Sequence, residues 1–222
     1  MSMMGRMCAL STVQIATLRV HPELVSAFAS IATRDFGENR RREAMASMPP
    51  DIRELREAQY QAQLKAVMAG FPGWAEEAKA IEAARARVAT LGPFQSLFSL
   101  EKSWHIFHYL FTGHADDEAA PGDALLSGTP IGETAGYGPA RLHDERACRS
   151  FRDFLAPLDV DRLVTRMDFV RMASLGIYPL GGDMDPANEQ SWRDEIAQRF
   201  PELKTYVDQA SDRGDGLLIW ID

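Results

Sequence analysis

Cysteine is scarce in this chain of 222 residues, which contains only Cys8 and Cys148 and has no C-x-x-C spacing. That scarcity excludes a zinc ribbon and a thioredoxin-like redox motif, and it favours a reducing compartment. Long apolar runs are missing as well, because the longest, LLIWI near the C-terminus, is far too short to span a bilayer. The first residues also lack the apolar segment of a signal peptide. The sequence therefore predicts a cytosolic protein with no membrane partner.

Basic residues are outnumbered, with 24 lysines and arginines against 32 aspartates and glutamates and a formal net charge of −8. Between Asp183 and Asp222 there are ten acidic residues and four basic ones. Because an acidic surface repels a phosphate backbone, we expect no nucleic-acid partner. The acidic C-terminal region indicates ordinary solubility or, as the alternative, a surface for a basic protein partner.

Apolar segments at the two ends of the chain predict strands. One is Met3–Leu10, and the other is GLLIWI from Gly216, which is apolar throughout and is therefore expected in the centre of a sheet. Helical patterns fill most of the chain between them, whereas residues 113–143 are rich in glycine and proline and predict mostly loop. This order predicts an α+β fold, predominantly helical, with a small sheet that includes the N- and C-terminal strands.

We expect a single domain over residues 1–222 with a helical-hairpin insertion at about residues 34–95. Residues 34–50 are polar and rich in arginine, and they end in two prolines, which indicates a linker or mobile loop. The two segments that follow, up to about Leu91, each place apolar residues on one side of a helix. Such a pair of helices indicates packing or a dimer contact rather than chemistry.

The stretch SLEKSWHIFHYLFTG predicts one helix that has Ser99 as its N-cap and ends at Gly113. At helical spacing, its aromatic residues gather on one side, and its histidines lie on a second, polar side that also includes Glu101. The candidate ligand-binding residues of this helix are Lys102, Trp104, His105 and His108.

Three interpretations of the two histidines stay open. Glu101, His105 and His108 have a spacing that can present a carboxylate and two imidazoles to a divalent metal, with a further ligand such as His143 or Asp183. An imidazole beside a lysine and a tyrosine can act as a general acid or base in a pocket. Alternatively, the polar side meets another part of the chain, and His108 donates to a backbone carbonyl there. The third interpretation is favoured because buried histidines are commonly structural, so we expect no metal and no cofactor.

The second candidate segment, GTPIGETAGYGPAR, runs from Gly128 to Arg141 and includes Tyr137. Its four glycines permit positive φ angles and close backbone approach, so that its amides can cradle an anion. No lysine and hydroxyl pair follows the last glycine, which excludes a Walker A loop, and the spacing does not fit a dinucleotide fingerprint. Arg141 can bind a carboxylate or phosphate in a fork, although a rigid surface turn held by the two prolines is favoured.

Several segments together resemble the YfbM-like family of uncharacterised bacterial proteins. They are MMGRMCALS, LEKSWHIFHYLFTG, GYGPARLH before a helix, and the late IYP. The family's Lys-x-Trp-x-x-x-His-x-Leu-x-Thr-Gly core falls on Lys102, Trp104, His108, Leu110, Thr112 and Gly113. Its Gly-Tyr-Gly-Pro-Ala-Arg turn falls on Gly136, Tyr137, Gly138, Pro139, Ala140 and Arg141. The resemblance covers about residues 1–33 and 97–222, whereas the segment between them looks longer than the family usually carries.

The resemblance implies a small α+β domain in a bacterial cytosol and no particular reaction, and it suggests that the helix and the glycine turn belong to one site. The leading hypothesis is a non-catalytic binding or protein-interaction protein, including the immunity type that neutralises a toxin by surface complementarity. The alternative is a small-molecule enzyme or ligand-binding domain, whose pocket is formed by the 99–113 helix and the 128–141 turn. Its pocket residues are Lys102, His105, His108, Tyr137 and Arg141.

Overall fold

One five-stranded antiparallel sheet brings the two ends of the chain together in the computed structural model, which describes residues 2–70, 73–116, 122–180 and 186–222. Its strands are β1 (Gly5–Leu10), β2 (Phe98–Glu101), β3 (Thr129–Thr134), β4 (Pro139–His143) and β5 (Gly216–Ile221). Their order across the sheet is β2-β1-β5-β4-β3. The C-terminal strand β5 therefore lies in the centre, paired with β1 on one side and β4 on the other, as its uninterrupted apolar sequence predicts.

Helices account for most of the remaining described residues. They are α1 (Thr12–Val20), α2 (Leu24–Ala46), α3 (Pro50–Gly70), α4 (Trp74–Val88), α5 (Trp104–Thr112), α6 (Glu145–Leu155), α7 (Val160–Thr165), α8 (Phe169–Ser174) and α9 (Pro186–Asp212), with a short 3-10 helix at Ala89–Leu91. The predicted α+β class, predominantly helical with a small sheet that includes both terminal strands, is confirmed. Within the described ranges, none of the helices combines the length and the apolar character needed to cross a membrane.

The main hydrophobic core lies on one face of the sheet. Met7 and Ala9 of β1 and Leu217 and Ile219 of β5 point into it, because alternate residues of a strand face the same side. Helix α5 is buried within this core on nearly all sides. Its buried residues are Trp104, Ile106, Phe107, His108, Tyr109, Leu110 and Phe111.

Several helix ends follow local sequence signals. Ser11 and Gln14 form a capping box at the start of α1, as their spacing predicts. An aspartate directly before each of the next two helical segments predicts an N-cap, and the side chains of Asp144 and Asp159 do accept backbone N–H groups at the starts of α6 and α7.

Two compact units divide the chain by their internal contacts. One contains residues 27–92, and the other contains residues 1–26 and 93–222. The smaller unit includes α3 and α4, so both helices predicted after residue 50 are present. That this segment is an insertion within its family remains a prediction.

The linker predicted at residues 34–50 is wrong, because α2 continues through it to Ala46. Arginine and glutamate have good helix propensity, and neighbours four residues apart can pair along a helix. Glu38 lies 3.5 Å from both Arg34 and Arg42, four residues before and after it. The polar composition that suggested a loop is therefore that of a helix with exposed faces.

Three further segments differ from the predictions. The stretch between Gly113 and His143 contains the strands β3 and β4. The apolar pair Ile177 and Tyr178 suggests a short strand from sequence, but the chain turns there. Helical patterns before and after Pro201 predict two helices, since proline usually ends a helix, but the structure has the single helix α9 with Pro201 inside it. The buried neighbours Phe200 and Leu203 anchor this part of α9 in the core, so packing overrides the lost backbone hydrogen bond.

Candidate functional site

The histidine-bearing helix α5 is shorter than predicted, because it begins at Trp104 rather than after Ser99. Residues Phe98–Glu101 form strand β2 instead, and Glu101 has a positive φ of 50° just before α5. Glu101 is therefore not part of a helical stripe with the histidines. The end of the helix is as predicted, since Gly113 follows it in the left-handed conformation.

Both ring nitrogens of His105 are engaged with the backbone. Nε2 lies 2.8 Å from the carbonyl oxygen of Ala115, and Nδ1 lies 3.0 Å from the backbone nitrogen of Tyr178. A carbonyl oxygen only accepts and a backbone N–H only donates, so the ring is the neutral tautomer with its proton on Nε2. Burial lowers the pKa of His105, and the hydrogen bond to Ala115 opposes that shift.

His108 is completely buried and contacts two parts of the loop that follows α5. Its Nε2 lies 2.9 Å from the carbonyl oxygen of Asp116, and its Nδ1 lies 3.3 Å from Oδ1 of the equally buried Asp123. Donation from Nε2 to a carbonyl is the arrangement that the packing interpretation predicts. A side chain in this position holds the loop to the helix and is shielded from any ligand in solvent.

His143, the last residue of β4, holds the same loop from the sheet. Its ring is buried and interacts with the backbone of Ser127 and Ala124. Burial lowers the pKa of His143, and the neighbouring backbone groups of Ser127 and Ala124 partly oppose the shift. Gly128 passes directly over the ring, since a Cβ atom there would lie 2.7 Å from its Nε2. Three imidazoles thus fasten the described parts of residues 113–128, hereafter the α5–β3 loop.

Lys102 and Trp104 precede these histidines and have different surroundings. Lys102 is exposed in the turn between β2 and α5. Trp104 is 6% exposed and stacks on the ring of His105 with centroids 4.7 Å apart. Its Cβ lies so close to Gly5 that any side chain at that position would overlap it. Trp104 therefore anchors α5 against β1.

Residues 128–141 form a β-hairpin rather than the expected surface turn. Strands β3 and β4 pair antiparallel, with Pro130 opposite Arg141. The prolines fit because β3 lies at the edge of the sheet and Pro139 is the first residue of β4. The glycines and prolines that indicated a loop thus belong to a strand pair and its turn.

The turn of this hairpin is tied to the end of β5. The backbone N–H of Ala135 donates to Gly138 at 2.8 Å, and that of Tyr137 donates to Ile221 at 2.8 Å. Gly136 has a φ of +127°, and a Cβ atom there would overlap the carbonyl oxygen of Ile221. Glycine is therefore required at this position, which fixes where Tyr137 projects.

A small pocket of about 140 Å³ lies beside the hairpin turn. Its lining residues are Leu125, Leu126, Tyr137, Gly138, Pro139, Arg141, Ile219, Trp220 and Ile221. Arg141 is the one charged residue among them, and Tyr137 is 50% exposed. Because pockets for small-molecule substrates typically measure about 300–1,000 Å³, this pocket suits a single side chain or a chain end.

Arg141 is half-buried, and its guanidinium has no hydrogen-bond or ion-pair partner among the residues that the structure describes. Arg141 and His143 are two residues apart on β4, so both side chains point to the same face of the sheet. The guanidinium carries five N–H donors in a planar fork that matches a carboxylate. It is therefore available to a ligand in the pocket.

The acidic C-terminal region lies largely on α9. Its basic residues Arg193, Arg199 and Lys204 donate to backbone carbonyl groups elsewhere in the fold, at 2.6, 2.8 and 2.8 Å. The acidic side chains of Asp194 and Glu202 are exposed. These three basic side chains thus stabilise contacts within the fold, whereas the two acidic side chains leave negative charge on the exposed surface of α9.

The structure divides the six predicted ligand-binding residues. Tyr137 and Arg141 line one pocket, whereas His105 and His108 are held against the α5–β3 loop. Across the described parts of the chain, no three histidine, cysteine, aspartate or glutamate side chains converge as metal ligands. Sequence reasoning missed Asp123, Leu125 and Leu126, because they come from a loop with no motif and acquire their roles only through tertiary contact.

Comparison with known proteins places the chain in a family. The family described as "Domain of unknown function (DUF1877)" matches residues 1–220. A solved structure, that of YfbM from Escherichia coli, a protein of unknown function, is 13% identical and aligns over 99% of each chain with a TM-score of 0.52. No curated protein matches the sequence. The structural likeness shows a shared fold, in agreement with the resemblance noted from the motifs, and the chain belongs to the DUF1877 family.

Proposed function

We propose that this protein is a non-catalytic binding protein that docks a protein partner at the pocket beside the β3–β4 hairpin. This proposal rests on one observation: among the described residues, the imidazoles are hydrogen-bonded within the fold, whereas the guanidinium of Arg141 is not. The imidazoles of His105 and His108 are bound to the loop. The guanidinium of Arg141 lies in an open pocket without an internal partner among the described residues.

Catalysis by the histidines would require a different arrangement. A general acid or base has to approach the proton that it transfers within hydrogen-bonding distance. Both nitrogens of His105 already bind backbone groups, and His108 has no accessible surface. These contacts support a structural role for both rings.

The composition of the pocket supports recognition of a protein. Arginine and tyrosine are enriched at the energetic centres of protein interfaces, where surrounding apolar residues exclude water. Arg141 and the exposed Tyr137 lie beside Leu125 and Leu126 in this arrangement. An immunity-type role, in which the chain neutralises another protein by covering its surface, is one form of this proposal.

Site-specific photo-crosslinking tests the proposal directly. We would place a photoreactive phenylalanine analogue at Tyr137 and, as the control, at Val170, an 83% exposed apolar position on α8. We expect a defined protein to crosslink from position 137 and not from position 170. The same crosslink should disappear with Arg141→Ala and persist with Arg171→Ala, which removes an exposed arginine of α8.

Two outcomes would contradict the proposal. One is that position 137 yields no protein that depends on Arg141. The other is that the crosslinked protein is lost when Asp194 and Glu202 are both changed to lysine and unaffected by Arg141→Ala. That second outcome would assign binding to the acidic surface of α9 and to a basic partner.

A further inference from the structure

We propose that the pocket recognises a carboxylate attached to a small aliphatic group, and that its source is the C-terminal residue of the partner. This inference rests on the proposed function and adds the chemistry of the group that enters. It depends on three features of the pocket: its charge, its walls and its size.

The charge of the pocket selects a monoanion. Arg141 is the one charged side chain among the described residues that line it. A guanidinium binds a carboxylate through two parallel hydrogen bonds. The single positive charge of Arg141 would neutralise only one of the two charges of a phosphate dianion. The other charge would lie unpaired against apolar walls, which is unfavourable.

The walls of the pocket select an aliphatic group next to that carboxylate. Leu125, Leu126 and Ile219 lie beside Arg141. Apolar walls exclude water and so strengthen the interaction between guanidinium and carboxylate. They also gain free energy by covering an aliphatic group of the ligand.

The size of the pocket favours a chain end over an internal acidic residue. Its volume of about 140 Å³ accommodates one small group. A C-terminal valine or alanine carries its carboxylate and its aliphatic side chain on the same Cα atom, so both enter together. An internal aspartate would bring two polar peptide groups to apolar walls, where burial without a hydrogen-bond partner is unfavourable. Capture of a C-terminal carboxylate is a known mode of peptide recognition.

A titration with small molecules tests the carboxylate part without any partner. Backbone amide signals of the full chain are followed by NMR while isobutyrate is added. We expect saturable shifts confined to the pocket, centred on Tyr137 and Arg141. Isobutyramide, which has the same shape without the charge, acetate, which has little aliphatic surface, and inorganic phosphate should each bind more weakly.

Variants of Arg141 identify the group that binds. Arg141→Ala should weaken the binding of isobutyrate about tenfold or more, because a hydrogen bond to a charged group is lost. Arg141→Lys should be intermediate, since lysine keeps the charge and loses the fork. Arg171→Ala serves as the matched control and should bind as the unchanged chain does. Equal binding of isobutyramide, tighter binding of phosphate or unaltered binding by Arg141→Ala would overturn the inference.

Peptides test the proposed source. Gly-Gly-Val with a free C-terminus should bind, whereas the same peptide with a C-terminal amide and an amidated Gly-Asp-Gly should not. Preference for the internal aspartate would overturn the assignment to a chain end. If isobutyrate binds through Arg141 and no protein crosslinks from position 137, the carboxylate site stands and the proposed protein partner fails.

Discussion

Two residues of strand β4, His143 and Arg141, have very different surroundings in this fold. They point to the same face of the sheet, and both are polar groups that sequence reasoning regards as candidates for chemistry. His143 is covered by the α5–β3 loop, whose backbone lies against its ring, whereas Arg141 lies at the open pocket. Contact with other parts of the chain, rather than residue type, therefore separates the structural side chains of this protein from the one available to a ligand.

The same contrast applies to the regions around these residues. Beneath the α5–β3 loop, His105 and His108 form hydrogen bonds with backbone carbonyl groups of the loop, and so supply the partners that buried carbonyl groups need. At the hairpin end, the turn is fastened through its backbone, which leaves Tyr137 and Arg141 exposed to a ligand. The molecule thus has a histidine-held region under the α5–β3 loop and an available pocket at the hairpin end.

The largest effect is expected from His108→Ala. This change removes a completely buried ring together with its hydrogen bond to the carbonyl oxygen of Asp116 and its contact with Asp123, and the cavity and the unsatisfied carbonyl group together typically cost about 3–5 kcal/mol. We expect the free energy of unfolding, measured by urea denaturation, to fall by about that amount. The matched control His21→Ala removes an exposed histidine and should change it by less than about 0.5 kcal/mol.

A double variant checks the cause of that loss. His108→Ala combined with Asp123→Ala removes both members of the buried pair, so its effect should be smaller than the sum of the two single changes. Additive effects would show that the contact between the two side chains contributes nothing of its own.

A smaller loss is expected from Gly136→Ala. Its positive φ and the overlap of the new Cβ with the carbonyl oxygen of Ile221 should displace the hairpin turn and cost about 1–3 kcal/mol. The binding of isobutyrate should weaken together with stability. Gly138→Ala is the control for φ alone, since a Cβ there meets no atom within 4 Å. An equal loss for both variants would show that contact with β5 does not position the turn.

Acid should weaken the histidine-held region. Burial lowers the pKa of both His105 and His143 in the folded chain below the ordinary value of 6.5. Below about pH 6.5 the unfolded chain therefore binds protons that the folded chain does not, and the free energy of unfolding falls as the pH drops towards the folded pKa values. Protonation of His105 also removes the acceptor for the N–H of Tyr178. Urea denaturation between pH 7.5 and 5 measures this dependence.

His105→Gln is the control for the acid effect. Glutamine keeps a donor and an acceptor and does not titrate, so part of the pH dependence should disappear. A curve that matches the unchanged chain would mean that His105 is not among the groups that take up protons on unfolding.

The smallest effect on stability is expected from Arg141→Ala. Among the described residues no internal partner is lost, so the free energy of unfolding should change by less than about 0.5 kcal/mol, as for ordinary surface substitutions. Chemical denaturation at several salt concentrations would measure it. A loss above about 2 kcal/mol would reveal a structural role for this guanidinium and would remove the contrast with the histidines.

The terminal strands and several helix ends could be predicted because their signals are local. An uninterrupted apolar run indicates a central strand, and Ser11, Asp144 and Asp159 are side chains that cap helices through their own neighbours. The start of α5 could not be predicted in this way. Both Ser99 and Ser103 are reasonable caps by residue type, but residues up to Glu101 pair with β1 as strand β2, so the helix starts only after Ser103.

The sequence pointed to the candidate residues but did not show which of them lie together in the folded chain. The aromatic and histidine segment and the glycine segment are both prominent in the sequence. Which residues become structural and which line the pocket depends on the α5–β3 loop. Its backbone bonds to His105 and His108 and covers His143, while its leucines line the pocket. Contacts of this kind join residues that are distant along the chain, so neither spacing nor composition reveals them.

Side-chain NMR signals followed during the titration with isobutyrate test whether Arg141, rather than the imidazoles, is the group available to a ligand. We predict that the Nε–H signal of Arg141 shifts with the ligand, while the imidazole signals of His105, His108 and His143 remain in place. Imidazole signals that move with the ligand while Arg141 remains unchanged would contradict it.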